Sequence, residues 1–124
     1  MDWNQIELFK GIDLNDSFVL NWSQEGDRLR FDLDASIWPN SLHYSKPENG
    51  EYTCYHKATL IFTGVQTIVG LKPIESVPST TGPDGETDFG NIDTFIQTEN
   101  GFHLSGDFGS VNIVGGELRF EVHI

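Results

Sequence analysis

The chain has 124 residues, and its content of 37% apolar and 12% aromatic residues predicts one globular domain, residues 1–124, and excludes a disordered chain. Seven Lys and Arg residues are outnumbered by 19 Asp and Glu residues, so the formal net charge at pH 7 is -12. Because binding to phosphates requires clustered cations, we expect no nucleic-acid partner. No apolar stretch approaches the ~20 residues that cross a bilayer as a helix, so we also expect no membrane partner.

The first ten residues are open to two interpretations. Asp2 could cap a short helix in which Trp3, Ile6 and Phe9 recur at a spacing of three. The same segment could instead form an edge strand. After it, the dominant period of the apolar residues is two.

Residues 28–37 give the clearest strand. Every second residue from Leu29 to Ile37 is apolar, and the residues between them are polar or charged. Because successive side chains of a strand point to opposite faces, this alternation predicts a half-buried strand. We expect residues 17–22 to pair with it, with Glu25-Gly26-Asp27 as the hairpin turn.

The middle of the chain mixes strands with loops. Pro39 ends the preceding strand, because proline cannot donate to a ladder, and residues 40–50 form a loop rich in Ser, Pro, Asn and Gly. Residues 52–62 then predict a long strand, continued by residues 65–71. Residues 72–90 hold several Pro and Gly residues and predict a long irregular segment.

The last third of the chain predicts further short strands. Asn100-Gly101 separates two runs with apolar residues, 92–98 and 102–108, and this pair favours a hairpin because both residues tolerate positive φ. A short strand is expected before a turn at Gly115-Gly116. Residues 118–124 alternate again and predict the last strand.

Together these elements predict an all-β protein. About eight short strands joined by turn signals indicate an antiparallel β-sandwich or a partly open barrel, with a short N-terminal helix as an option. The regular alternation of strands and helices that builds a parallel sheet is missing from the sequence.

The charges are unevenly distributed along the chain. Residues 73–118 contain no Lys and no Arg, and such a one-signed segment creates a negative field that attracts basic partners. Trp38 and Tyr44 bracket a loop and could act as aromatic anchors. The residues that we predict to bind a protein partner are Asp84, Glu86, Asp88, Asp93, Trp38 and Tyr44.

The sequence does not indicate an enzyme or a cofactor. Zinc-binding and nucleotide-binding motifs are absent, and no acid, base and oxyanion donor are assembled. Asp32 and Asp34 share one strand face with Arg28 and Arg30, which predicts a solvated, partly self-paired surface rather than catalysis. Cys54 lies two residues before His56 and is expected to fill the core. As the only cysteine, in a chain without a signal-peptide pattern, it indicates a cytoplasmic protein.

A small ligand- or carbohydrate-binding domain is the alternative function. Asp84, Glu86 and Asp88 alternate in a Gly-rich loop, as oxygen ligands of calcium do. An EF-hand counted from Asp84 would need Gly and Glu where Phe89 and Phe95 stand, so any calcium site would be of another type. Pairing of exposed strand edges leaves homo-oligomerisation open as well.

The segment Gly11–Leu20 contains the tetrapeptide Leu-Asn-Asp-Ser, and residues 29–33 follow it as Leu-Arg-Phe-Asp-Leu. This stretch resembles the opening of small uncharacterised bacterial β domains, which carry a Leu-His-Asp-Ser pattern before the first hairpin. Some of those domains are grouped with immunity proteins of bacterial toxin systems.

Three residues of the motif match the pattern, namely Leu14, Asp16 and Ser17, and Asn15 stands where the histidine is usual. We expect Asp16 or Ser17 to hydrogen-bond backbone amides where the chain enters the sheet. The resemblance implies a non-enzymatic protein that sequesters a toxin. An acidic surface is compatible with this, because it can associate rapidly with a basic cleft and block it.

Overall fold

The computed structural model describes residues 1–46, 54–83 and 85–123. Within these residues the strands are β1 (Ile12–Glu25), β2 (Arg28–Ile37), β3 (Cys54–Leu71), β4 (Thr80–Thr81), β5 (Thr87–Asp88), β6 (Ile92–Gln97), β7 (Gly101–Gly106) and β8 (Gly109–Val122). Short 3₁₀ turns cover Trp3–Gln5, Glu7–Phe9 and Ile74–Ser76. No helix among the described residues is long and apolar enough to span a membrane.

Six strands form one antiparallel sheet in the order β1-β2-β3-β8-β7-β6. The sheet curls until its two edge strands approach each other. Val19 in β1 donates its amide to the carbonyl of Gly90 at 2.8 Å, and the Asn15 side chain donates to the carbonyl of Ile92 at 2.8 Å. The all-β prediction is confirmed, and the architecture is a half-barrel, which corresponds to the partly open barrel of the two options.

The curl is accompanied by bends in β3 and β8, two of the longer strands of the sheet. The sequence indicated breaks in these regions, but β3 and β8 each continue through their glycines. Gly64 and Gly115 have φ values of +67° and +76°, and Val65 pairs with Gly115 next to a register shift. The turn expected at Gly115-Gly116 is therefore wrong. Positive φ at these glycines makes a bulge, which bends a strand and increases its twist without ending the ladder.

The core lies on the inner face of the curled sheet. The alternation predicted for β2 is confirmed, because the apolar side chains from Leu29 to Ile37 are at most 2% exposed. Phe9, from the second N-terminal turn, packs edge-on against Phe95 of β6 and Phe120 of β8, each with ring centroids 5.2 Å apart. The N-terminal segment thus packs against β6 and β8 and contributes Phe9 to the same core.

The N-terminal segment is neither a regular helix nor a full edge strand. Its two 3₁₀ turns are too short to be stable alone, and they are held by contacts with the sheet. The backbones of Met1 and Gln97 exchange hydrogen bonds of 3.0 and 2.8 Å, and Asp2 bridges Ile96. These contacts cover the end of the β6 edge, which would otherwise expose unpaired backbone groups.

The long irregular segment between β3 and β6 carries the β4–β5 hairpin. Its start is fixed by Trp22, whose indole N–H donates to the carbonyl of Lys72 at 2.9 Å. Phe89 packs edge-on against the Trp22 ring with centroids 5.0 Å apart. Between these points, Lys57 of β3 binds the Glu86 carboxylate. The segment therefore contacts the β1–β2–β3 part of the sheet near both of its ends, and the hairpin within it is bound through Glu86.

Candidate functional site

The Leu-Asn-Asp-Ser motif forms a large, four-residue bulge in β1. The register runs from the pair Asp13–Ser36 directly to the pair Phe18–Asp34, so the motif opposes a single residue of β2. Ser17 is fully buried, donates its hydroxyl to the Asp13 carbonyl at 2.8 Å and accepts the Ser36 amide at 2.9 Å. The Ser17 hydroxyl thereby replaces the ladder bond that the bulge removes.

Asp16 is held by the bulge with its carboxylate toward β2 and β3. Its Oδ2 accepts hydrogen bonds from the Ser36 hydroxyl at 3.1 Å and from the Tyr55 hydroxyl at 3.3 Å. Its backbone amide donates to Asp13 Oδ1 at 3.3 Å. The expected bond to a backbone amide is therefore made by Ser17, and Asp16 instead binds side-chain hydroxyls.

A surface cleft of about 270 Å³ opens beside this bulge. We call it the bulge cleft, and its lining residues are Asp13, Asp16, Ser36, Ile37, Trp38, Pro39, Tyr44 and Cys54. Two of the predicted partner-binding residues, Trp38 and Tyr44, thus lie in one cleft with two carboxylates. The Cys54 thiol accepts the Ser45 amide at 3.4 Å, and this cysteine is buried, as the sequence predicted.

The backbone holds Trp38 at the cleft rim. Its amide donates to the Gly11 carbonyl at 2.8 Å, and its carbonyl accepts the Ser41 amide at 3.0 Å. The side chain nevertheless remains 41% exposed. Gly11 has a φ of +78°, and a Cβ there would lie 2.7 Å from the Cβ of Ser41, so this close approach requires glycine.

Trp3, which is half-buried, continues the aromatic surface from the bulge cleft to Asp93. The rings of Trp3 and Trp38 are tilted against each other with centroids 6.3 Å apart. The Trp3 indole donates to the Asn15 side chain at 3.0 Å, and Trp3, Asn15 and Asp93 line a neighbouring groove. Asp93, which is exposed, therefore belongs to the same surface as Trp38 and Tyr44.

Two of the other predicted acids, Glu86 and Asp88, lie on the β4–β5 hairpin. Glu86 binds Lys57, which also lies 3.9 Å from Asp34. The Asp88 carboxylate accepts the Gly90 amide at 2.8 Å and so shapes the turn into β6. Asp84 lies outside the described residues. The structure thus separates Glu86 and Asp88 from Asp93, which faces the groove beside Trp3.

The charge of the sheet is divided between its two halves. The cation-free segment supplies β6, β7 and most of β8, which are neighbours in the sheet. The arginines of the sheet lie on β2 and near the end of β8, and its lysine lies on β3. Within the described chain, the carboxylates in ion pairs are those of Asp32, Asp34 and Glu86. Most of the negative charge is therefore not paired with a cation there.

Two side-chain groups considered from the sequence have structural partners. Asp32 binds Arg30 at 2.9 Å, and Asp34 lies near Lys57, so these carboxylates form the expected surface ion pairs.

Within residues 1–46, 54–83 and 85–123, no three His, Cys, Asp or Glu side chains are placed to hold a metal ion. The bulge cleft offers two carboxylates and two aromatic rings, a combination suited to binding a cation.

Sequence reasoning did not identify Asp13 and Asp16 as parts of a site. Asp16 could have been noticed as a member of the motif, but its neighbours in space come from β2, β3 and residues 38–44. Asn15 connects β1 to the β6 edge and the Trp3 ring. Its role in linking the two edges of the curled sheet has no signal in the sequence beyond the motif itself.

No protein-family model, curated protein or solved structure matches this chain.

Proposed function

We propose that the chain is a non-enzymatic protein-binding module, a cytoplasmic bacterial immunity protein that occludes a basic surface of a toxin. The observation that carries this proposal is the lack of Lys and Arg in residues 73–118 of a chain with a net charge of -12. A field of one sign speeds association with a protein of the opposite sign and repels nucleic acid.

The geometry of the exposed groups supports a protein partner. Trp38 and Tyr44 present aromatic side chains beside the Asp13 and Asp16 carboxylates, and Trp3 continues this surface to Asp93. Aromatic residues with a charged surround are typical of the energetic centres of protein interfaces. Occlusion needs no reacting groups, since the bound module excludes the substrate of the toxin sterically.

The test begins with the partner itself. Immobilised protein is used to capture a basic partner, which is identified, purified and mixed with the free protein in a stopped-flow instrument. The fourfold variant Asp84→Asn, Glu86→Gln, Asp88→Asn, Asp93→Asn should associate about tenfold more slowly, and its rate should depend less on NaCl concentration.

A matched variant separates local from total charge. Glu7→Gln, Glu25→Gln, Asp27→Asn and Glu121→Gln remove the same charge outside residues 73–118, so this variant should slow association less. Equal rates for the wild type and the first variant would contradict the proposal. So would failure of the wild-type chain to relieve the toxicity of its captured partner on co-expression. A rise of Tm in CaCl2 larger than that in NaCl of equal ionic strength, without any protein partner, would favour the ligand-binding alternative.

A further inference from the structure

The bulge cleft contains negative charge that no cation neutralises within the described residues. Asp16 Oδ2 accepts two neutral hydroxyl donors, and Asp13 Oδ1 accepts a neutral amide. Neutral donors orient a carboxylate but leave its charge in place. In the described part of the chain, Asp16 Oδ1 and Asp13 Oδ2 have no hydrogen-bond donor, and neither carboxylate forms an ion pair.

The aromatic walls of the cleft have contacts within the protein that do not require a ligand. The backbone amide and carbonyl of Trp38 are both hydrogen-bonded, and its ring contacts the ring of Trp3. The Trp3 ring is in turn oriented by its hydrogen bond to Asn15. Tyr44 is half-buried and packs against the core. An anchor that is already ordered loses little conformational entropy on binding, which favours affinity.

We propose that the bulge cleft binds an arginine side chain of the basic partner, with the guanidinium stacked on Trp38 and hydrogen-bonded to Asp13 and Asp16. This inference rests on the proposed function and names its anchoring contact. A guanidinium is planar, stacks on aromatic faces and donates in a fork that matches carboxylate oxygens. The protein charge of -12 concentrates such cations near the surface.

The same chemistry separates arginine from other ligands. A lysine ammonium is a compact and strongly hydrated charge that cannot pair both oxygens of a carboxylate in one plane. A neutral sugar could stack on Trp38 but would leave the charge of the Asp13 and Asp16 carboxylates uncompensated. We therefore expect a preference of arginine over lysine and over neutral isosteres.

The experiment uses the full chain, ¹⁵N-labelled, titrated with the peptide acetyl-Gly-Gly-Arg-Gly-Gly-amide. The indole N–H signal of Trp38 and the amide signal of Asp16 should shift in a saturable manner, with a Kd of about millimolar order because one side chain provides most of the contact. The same peptide with citrulline, which has the shape of arginine without its charge, should bind at least about tenfold more weakly. The lysine peptide should also bind more weakly than the arginine peptide.

Matched variants locate the binding. The double variant Asp13→Asn, Asp16→Asn keeps acceptor oxygens for the existing hydrogen bonds but loses both charges, and should lower the affinity at least about tenfold. The pair Glu99→Gln, Glu117→Gln removes equal charge outside the cleft and should leave the affinity within about twofold. Trp38→Ala replaces an exposed side chain and should abolish the shift of the Asp16 amide signal.

The outcomes distinguish this inference from the proposed function. Equal binding of the arginine and citrulline peptides, or shifts that persist in the Asp13→Asn, Asp16→Asn variant, would overturn the arginine cleft. Unchanged affinity of that variant for the purified toxin would also overturn it while leaving the immunity function standing. Selective binding of the arginine peptide by a chain that captures no basic protein would support the cleft and contradict the function.

Discussion

Ser17 shows how one buried hydroxyl can hold an irregular strand in register. It accepts the Ser36 amide and donates to the Asp13 carbonyl, so both backbone groups remain paired across the bulge. A buried polar group without a partner costs more than an ordinary hydrogen bond contributes. The Leu-Asn-Asp-Ser motif is therefore explained first as a structural device, which also places Asp16 in the cleft.

Ser17→Ala should lower the free energy of unfolding by about 1–3 kcal/mol, because the Ser36 amide and the Asp13 carbonyl lose their partner in a buried setting. Urea denaturation monitored by tryptophan fluorescence measures this change. Ser23→Ala, on the exposed part of the same strand, is the control and should change stability by less than about 0.5 kcal/mol. Similar small effects of both substitutions would contradict the role assigned to Ser17.

At the scale of elements, the sheet depends on close approaches that only glycine permits. Gly70, near the end of β3, has a φ of +97°, and a Cβ there would lie 1.9 Å from the carbonyl oxygen of Ser110 in β8. Gly26, in the β1–β2 turn, has a φ of +57° but no atom within 4 Å of the corresponding position. A side chain at Gly26 would therefore meet backbone strain alone, whereas one at Gly70 would meet backbone strain and a steric clash.

Gly70→Ala should therefore destabilise the protein more than Gly26→Ala does. Both substitutions place a side chain at positive φ, at a cost of about 1–2 kcal/mol, and only the first also pushes β3 and β8 apart. We expect a difference of at least about 1 kcal/mol between the two in urea denaturation. Equal destabilisation would show that the approach of β3 to β8 is not tight in solution.

The β4–β5 hairpin is joined to the sheet through Lys57, which reaches Glu86 and lies near Asp34. The lysine side chain is 53% exposed, so solvent screens these pairs and their contribution to global stability is small. Their effect is expected instead in the local opening of the hairpin.

Lys57→Met should lower global stability by less than about 1 kcal/mol while accelerating hydrogen exchange in the hairpin. The amide of Gly82, bonded to the Glu86 carbonyl at 2.9 Å, reports this opening. Lys10→Met, at an exposed site without an ion pair in the described chain, should leave the exchange rate unchanged. A rate at Gly82 unaffected by Lys57→Met would mean that the apolar contacts alone hold the hairpin.

At the scale of the whole molecule, the net charge opposes the compact state. A charge of -12 on 124 residues produces self-repulsion, and the half of the sheet built from β6, β7 and most of β8 has no cations to reduce it. The same distribution that favours a basic partner therefore makes the free protein less stable at low ionic strength.

Raising NaCl from about 20 mM to about 500 mM should increase Tm by about 3 °C or more, because salt screens the repulsion. Differential scanning calorimetry measures the change. The variant Glu99→Lys, Glu117→Lys, which reverses two exposed charges in the cation-free segment, should gain less from salt. A Tm that falls with NaCl, or an equal gain in both proteins, would contradict this account.

Local sequence patterns determined that the chain is built of strands and which face of β2 is buried, but not that β3 and β8 continue through their glycines. The alternation from Leu29 to Ile37 and the Asn100-Gly101 turn predicted β2 and the β6–β7 hairpin, because side-chain alternation and positive φ are properties of neighbouring residues. The order of the charged residues likewise showed, without any structure, that residues 73–118 contain acids but no Lys or Arg. Aromatic residues flanking a loop indicated Trp38 and Tyr44, although their partner-binding role stays a prediction.

Only the tertiary structure decided which of these residues lie together. The bulge cleft combines a motif in β1, the end of β2 and residues 38–44, and the adjoining groove adds Trp3 and Asp93. These contacts depend on the register across a bulge and on the curl that brings β1 to β6. Strand register and sheet curvature arise from pairing between residues far apart in the chain, so a pattern of neighbouring residues does not contain them.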